Sequence, residues 1–144
     1  MKVYLRSFEY EDLKLIHQWH TNEGINMLTG WNKFFISKER ERKWIEDKML
    51  NDHNQIYCAI CKDENQKMMG YTSLNEIDYI NWKAFWRGLV IGDKSNRNKW
   101  FATSALIQIL TYGFYELGLN KITGKWLKDE DKKLFITRLK IYCR

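Results

Sequence analysis

The chain has 144 residues, with 24 Lys+Arg against 18 Asp+Glu for a formal charge of +6, and is 44% hydrophobic and 15% aromatic. That length favours one domain able to bury about two-thirds of its unfolded surface, and the apolar content excludes a disordered chain. No apolar run is long enough to span a membrane and no signal-peptide core follows Met1, so a soluble, cytoplasmic single domain over residues 1–144, with no membrane partner, is expected.

Residues 2–8 alternate and predict an edge strand, and 12–20 place Leu13, Ile16 and His20 on one helical face. A loop rich in Asn, Gly and Thr is expected over 21–33. Ser37 then suits an N-cap for a charged helix running to residue 50 with Trp44, Ile45 and Met49. Strands are expected over 55–62 and 67–74 around a turn at 63–66, followed by a longer connection over 75–82 and a strand over 84–92.

The next segment is the most informative. Leu89-Val90-Ile91-Gly92 reads as a buried strand, 93–99 as a polar turn, and 102–117 as an amphipathic helix. Ala102, Ala105, Leu106, Ile109, Leu110, Gly113, Phe114 and Leu117 form its nearly unbroken apolar stripe. Gly118 fits a left-handed residue ending that helix, and 120–126 reads as a further strand. Such a strand–turn–helix is either an ordinary core unit or an anion site. Helix N-terminal amides attract negative charge, and Arg97 and Lys99 stand at the mouth.

Other chemistries are weaker. Lys132-Lys133 is broken by Asp129, Glu130 and Asp131, and aromatics are not interleaved with cations, so nucleic-acid binding is disfavoured. The C-x-x-C spacing of Cys58 and Cys61 falls in a strand, which sends the two thiols to opposite faces. No second pair completes a metal site, so buried structural thiols and no metal are expected, and an odd cysteine count fits a reducing compartment. His17 and His20 are three apart on a helix and read as surface or boundary residues rather than ligands. The 118–125 segment resembles a Walker A loop, but it is one residue too long and Trp126 replaces the Ser/Thr.

Several segments carry a family resemblance: Leu5-Arg6, Gly70-Tyr71, Leu74-Asn75-Glu76-Ile77-Asp78, Ile91-Gly92-Asp93-Lys94, Arg97 to Leu106, and Tyr112 to Ile122. With the element order, they resemble the GNAT superfamily of acetyl-CoA-dependent N-acetyltransferases, on the branch of ribosomal-protein, spermidine and sugar-nucleotide N-acetyltransferases. The likeness covers residues 3–126 and is most specific in the last two segments. It implies an α/β (α+β) fold: a mixed, mostly antiparallel sheet flanked by helices, with an incomplete closing C-terminal hairpin.

It also implies acetyl-CoA as co-substrate, held by the strand residues Leu89, Val90 and Ile91 and by Arg97, Asn98, Lys99, Trp100, Phe101, Ala102 and Thr103. Arg97 and Ala102 match the first and last positions of the family's Q/R-x-x-G-x-G/A loop, while Trp100 stands at the central glycine. If that ring crowds the pyrophosphate, Trp100→Gly tightens binding. Gly88 suits a bulge that splays the strand from its neighbour.

The chemistry implied is direct attack of a neutral amine on the thioester, without a covalent enzyme intermediate. Relatives often carry an acid where this chain has Phe85-Trp86-Arg87, and Glu76 and Asp78 are the nearest substitutes, weighed against being loop acids. An acceptor pocket would draw on Trp31, Phe34, Asn75 and Trp86, and the acceptor would be a small amine (amino sugar or polyamine) or a protein N-terminus. Residues 128–142 depart from the family pattern, with Thr137 or Phe135 at its tyrosine position. Against the family pattern the chain is expected to stop before a full closing hairpin, which would expose a sheet edge unless another segment, or a second copy in a homodimer, covers it. The alternative function is an impaired acyl-CoA-binding or interaction module on the same fold.

Overall fold

The structure is a computed structural model that describes residues 2–29, 35–51, 53–97, 100–130 and 133–142, with 27–29 and 125–142 described by backbone alone. Six strands form one sheet in sequence order: β1 Val3–Ser7, β2 Ile56–Lys62, β3 Met68–Asp78, β4 Lys83–Ile91, β5 Lys121–Glu130 and β6 Lys133–Tyr142. Every neighbouring pair is antiparallel except β4–β5, which is parallel. That one parallel step needs a crossover. Helix α4, Phe101–Thr111, supplies it, and a π-helical turn, Tyr112–Glu116, continues it. Helices α1 Leu13–His20, α2 Glu23–Thr29 and α3 Lys38–Leu50 fill the β1–β2 connection. The mixed, mostly antiparallel sheet flanked by helices is the expected fold.

Alternation along the strands builds two apolar layers. On one face Ala59, Cys61 and Tyr71 pack with Phe8, Ile16, Trp19 and Ile45 from the α1–α3 side. On the other, Leu74, Ala84, Trp86 and Ile122 pack with Ile109 of α4. Cys58 packs against this second cluster, so the two thiols do lie on opposite faces. Burial pushes the Cys58 thiol up to about 11 and raises Cys61 as well, which keeps both neutral and unreactive near pH 7.

Ser37 caps α3 as expected, its Oγ accepting from Arg40 N at 3.1 Å. The Arg6 guanidinium grips the buried Asp12 carboxylate through two bonds of 2.8 and 2.9 Å, fixing where α1 leaves β1. Gly118 is left-handed at φ +71° and ends the α4 unit. Gly113 lets that unit lie close on the sheet, since a Cβ there would stand 2.8 Å from Ile122 Cδ1.

Three expectations change. The 21–33 segment is not all loop, because α2 forms within it; Asn22 Oδ1 accepts from Ile25 N at 3.0 Å and starts that helix. Asn75 sits within β3 rather than in a connection, since pairing with β4 continues from Asn75↔Phe85 to Asp78↔Lys83. Beyond residue 126 the chain extends β5 and returns as β6, paired from Lys121↔Tyr142 to Glu130↔Lys133. Within the described residues β6 pairs with β5 alone.

Candidate functional site

The site begins with a defect in β4. Thr72 pairs with Leu89, but Leu74 pairs with Trp86, so β4 carries one residue more than β3 across this step. Gly88 absorbs the excess at φ +90°, a conformation open to glycine and costly for other residues, and Thr72 Oγ1 donates to its carbonyl at 2.9 Å. The bulge bends β4 out of register with the next strand. Lys83 to Trp86 pair with Lys121 to Gly124, and the pairing stops there. Past Gly88 the strands diverge, as the sequence led us to expect.

Parity then fixes what the divergence exposes. Gly92 N donates to Met69 O at 2.9 Å, and Val90 pairs with Tyr71 in the same register, so both direct their backbone groups toward β3. Leu89 and Ile91 must direct theirs the opposite way, into the opening left by β5. A slot edged by strand backbone that, among the described residues, pairs with no neighbouring strand therefore starts beside Gly88.

The N-terminus of α4 abuts that slot. Leu89 and Ile91 pack against the cluster containing Phe101 and Ala105. Ser104 N donates to Trp100 O at 2.9 Å, and the first-turn amides of Phe101, Ala102 and Thr103 precede this bond at the positive end of the helix. Between strand and helix, Asp93 Oδ1 accepts from Ser95 N at 2.9 Å and shapes a single 3-10 turn, Lys94–Asn96. These bonds hold the Asp93 carboxyl below its usual range, with Lys62 and Arg97 adding positive charge nearby. Arg97 folds back on the strand, Nε donating to Ile91 O at 3.2 Å and Nη2 to Gly92 O at 3.4 Å. Lys62, whose Nζ lies 5.5 Å from the Phe101 ring centroid, is a second cation here. Sequence reasoning missed it because only the β1–β2–β3 pairing brings it close.

Leu89, Val90, Ile91, Arg97, Trp100, Phe101, Ala102 and Thr103 are thus brought to one end of the sheet. Asn98 and Lys99 lie outside the described residues, as do Trp31 and Phe34. Trp100 has φ −67° and a ring 72% exposed, so the backbone at this position does not use glycine's freedom. It occupies the N-cap without a side-chain cap bond. Trp100→Ser is therefore expected to stabilise the fold by about 1 kcal/mol, measured as a rise of a few degrees in Tm.

The acceptor and acid–base residues are placed differently. Trp86 is buried, covers Gly124 and donates from Nε1 to Thr72 Oγ1 at 3.0 Å, so its indole is a core element. Asn75 is buried and donates to Ser73 Oγ at 2.8 Å. Asp78 accepts from Ile80 N, Asn81 N and Asn81 Nδ2, each at 2.9 Å, and shapes the β3–β4 turn. Those bonds, led by the Asn81 amide, pull its carboxyl below the usual range. Glu76 sits at φ +51° in a β3 bulge, exposed, with Oε1 3.6 Å from Nη2 of Arg87, the residue preceding Gly88.

One polar cluster went unread. His20 is buried, its Nδ1 2.7 Å from Glu41 Oε1 and its Nε2 2.8 Å from the Tyr71 hydroxyl. Glu41 is only 2% exposed. His20 is thus a core residue rather than a surface or boundary one, and the cause is its two buried partners. His17 lies at the margin, Nδ1 3.5 Å from the same carboxylate oxygen. Among the described residues no three of His, Cys, Asp and Glu are grouped to hold a metal, and no helix is long and apolar enough to cross a membrane. An open hollow of about 510 Å³, lined by Asn81, Trp82, Tyr115, Glu116, Leu117, Gly118 and Asn120, lies at the far end of the α4 unit from the slot.

A diverging strand pair beside a helix N-terminus is the arrangement the family resemblance implied. Residues 2–134 match the family described as Acetyltransferase (GNAT) domain, and the chain belongs to that family. It is 29% identical over 129 residues to a Bacillus licheniformis protein named uncharacterized N-acetyltransferase p20, covering 86% of this chain and 69% of the relative. Among solved structures, Vibrio cholerae spermidine N-acetyltransferase in complex with CoA and spermine superposes with a TM-score of 0.80 at 19% identity, covering 97% of this chain and 95% of that one. A structure described as a probable acetyltransferase gives 0.74 at 25% identity, covering 90% and 73%.

Proposed function

We propose that the chain acts as a single N-acetyltransferase domain that binds acetyl-CoA in the β4–β5 slot and acetylates a primary amine of a small molecule, an amino sugar or a polyamine. The carrying observation is the bulge at Gly88, beyond which, among the described residues, Leu89 and the Ile91 amide face no partner strand beside the first turn of α4, while Arg97 holds the Ile91 carbonyl. This fits a coenzyme with an amide-bearing arm and a pyrophosphate. Strand edges pair with extended amide chains, and helix N-termini with adjacent cations hold phosphates. Leu89 and Ile91 would hold the arm; Phe101, Ala102 and Thr103 with Arg97 and Lys62 would face the phosphates. When bound, the coenzyme supplies an activated acetyl thioester. The CoA complex of the structural neighbour supports the same assignment.

Of the two acids, Glu76 is the better base, because it is exposed and held by Arg87 next to the bulge, whereas Asp78 is engaged by its turn. Glu76→Gln is expected to lower the turnover rate by roughly 10²-fold or more. Asp78→Asn should leave turnover unchanged and lower thermal stability. The stability from Asp78 is present above its unfolded value near 3.8 and is lost as pH falls through its lower folded value.

The test is a calorimetric titration of acetyl-CoA, followed by a screen of polyamines, amino sugars and peptide N-termini for release of the coenzyme thiol. Binding together with thiol release on an amine is the expected result. Absence of acetyl-CoA binding overturns the proposal, and binding without turnover on any acceptor favours the noncatalytic module. The edge of β6, which pairs with no second strand among the described residues, suits pairing with a second copy in a homodimer, which light scattering across a dilution series reads directly.

A further inference from the structure

Gly92 follows β4 and opens the turn that carries Arg97, yet no positive φ explains a glycine at this position. Space does. A Cβ on Gly92 would stand 2.0 Å from both Cε2 and Nε1 of Trp19 and 2.6 Å from Cζ2, so the indole already occupies the volume any side chain would need. Trp19 comes from α1, far from this loop in sequence, and is itself buried. Its ring lies nearly parallel to Tyr71, at 24° and 6.4 Å between centroids. Tyr71 in turn is held by His20, and His20 by Glu41. On the other side, Gly92 O and Ile91 O are the two acceptors that hold the Arg97 guanidinium. One packed line therefore runs from the α1–α3 core to the loop at the slot.

We propose that Trp19 is a positioning residue for the cofactor loop: its indole, packed on Gly92, sets where the loop leaves β4 and so where Arg97 and the first turn of α4 stand for the coenzyme. This rests on the reading of the slot as the acetyl-CoA site. Packed interiors transmit such displacements because a void or an overlap beside one residue shifts its neighbours by fractions of an ångström. The contact is rigid on both sides. Tyr71 and α1 back the indole, and the Gly92 N to Met69 O bond anchors the glycine to β3.

Gly92→Ala overlaps the indole and displaces the loop, whereas Trp19→Phe or Trp19→Ala removes the backing. Combined, the new methyl group occupies volume that the smaller ring has vacated, so the two changes offset each other.

The experiment is a double-mutant cycle on the full chain with coenzyme A as the calorimetric probe, Tm recorded for each variant, and KM separated from kcat once an acceptor is in hand. Gly92→Ala and Trp19→Phe are each expected to weaken coenzyme A binding by roughly tenfold, and the pair to recover most of that loss, a coupling within the range seen for contacting residues. KM for acetyl-CoA should rise while kcat at saturation holds. Should Gly92→Ala fail to fold, Trp19→Phe against Trp19→Phe/Gly92→Ala still reads the recovery. If wild type binds coenzyme A but the variants bind equally well, or the losses simply add, the positioning role is overturned while the slot stands. If wild type does not bind, the slot assignment and this inference fall together.

Discussion

Glu41→Ala is expected to destabilise the protein by about 3–5 kcal/mol, a fall of roughly 10 °C in Tm for a domain of this size. Glu41 is 2% exposed and its Oε1 lies 2.7 Å from His20 Nδ1, so truncation removes a buried hydrogen-bond partner and leaves a cavity beside His20. The buried His20 imidazole would then lose its carboxylate partner, which costs more than the bond itself contributed. Glu41→Gln keeps an acceptor oxygen and should cost less, about 1–2 kcal/mol. Tyr71→Phe removes only the hydroxyl at His20 Nε2 and should cost about 1 kcal/mol. Urea unfolding of the three variants checks the order. Equal, small losses for all three would show that the cluster does not anchor the α1–α3 layer.

Gly88→Ala is expected to weaken coenzyme binding at the slot. A Cβ at Gly88 meets no atom within 4 Å, so crowding is not the penalty. The penalty is φ +90°, which a residue with a side chain holds only at a cost of about 1–3 kcal/mol. Relaxing toward extended geometry removes the bulge and brings Leu89 toward the partner it otherwise diverges from. Acetyl-CoA affinity should therefore fall by roughly tenfold, which is 1.4 kcal/mol. Gly118→Ala is the matched control. It has φ +71° and equally open space, but lies at the far end of the α4 unit. Comparable destabilisation of both variants, with affinity lost only at Gly88, separates the slot from general strain.

Much of the slot could be read from the chain because it rests on local patterns. The Leu89–Gly92 run, the 3.6-residue stripe of α4 and the glycines at 88 and 118 each constrain the backbone where they stand. Elements that depend on distant partners were hidden. Glu41 sits in a Lys-Glu-Arg-Glu-Arg run that looks solvated, and His20 acquires its role from residues 21 and 51 positions away. Asn75, Glu76 and Asp78 belong to types depleted from strands, but pairing with β4 overrode that preference. The seven residues of α2 contain Gly24 and too few turns for a periodic signal. That Trp19 packs on Gly92 was hidden as well, because the two residues lie far apart in the chain.

Amide hydrogen exchange, with and without saturating acetyl-CoA, reads coenzyme binding in the slot residue by residue. The amides of Leu89 and Ile91 and the first turn of α4 are expected to become protected, because these are the groups the bulge and the helix N-terminus leave facing the slot. Unchanged exchange there, with protection instead around Trp82 and Tyr115 at the opposite hollow, would contradict binding in the slot.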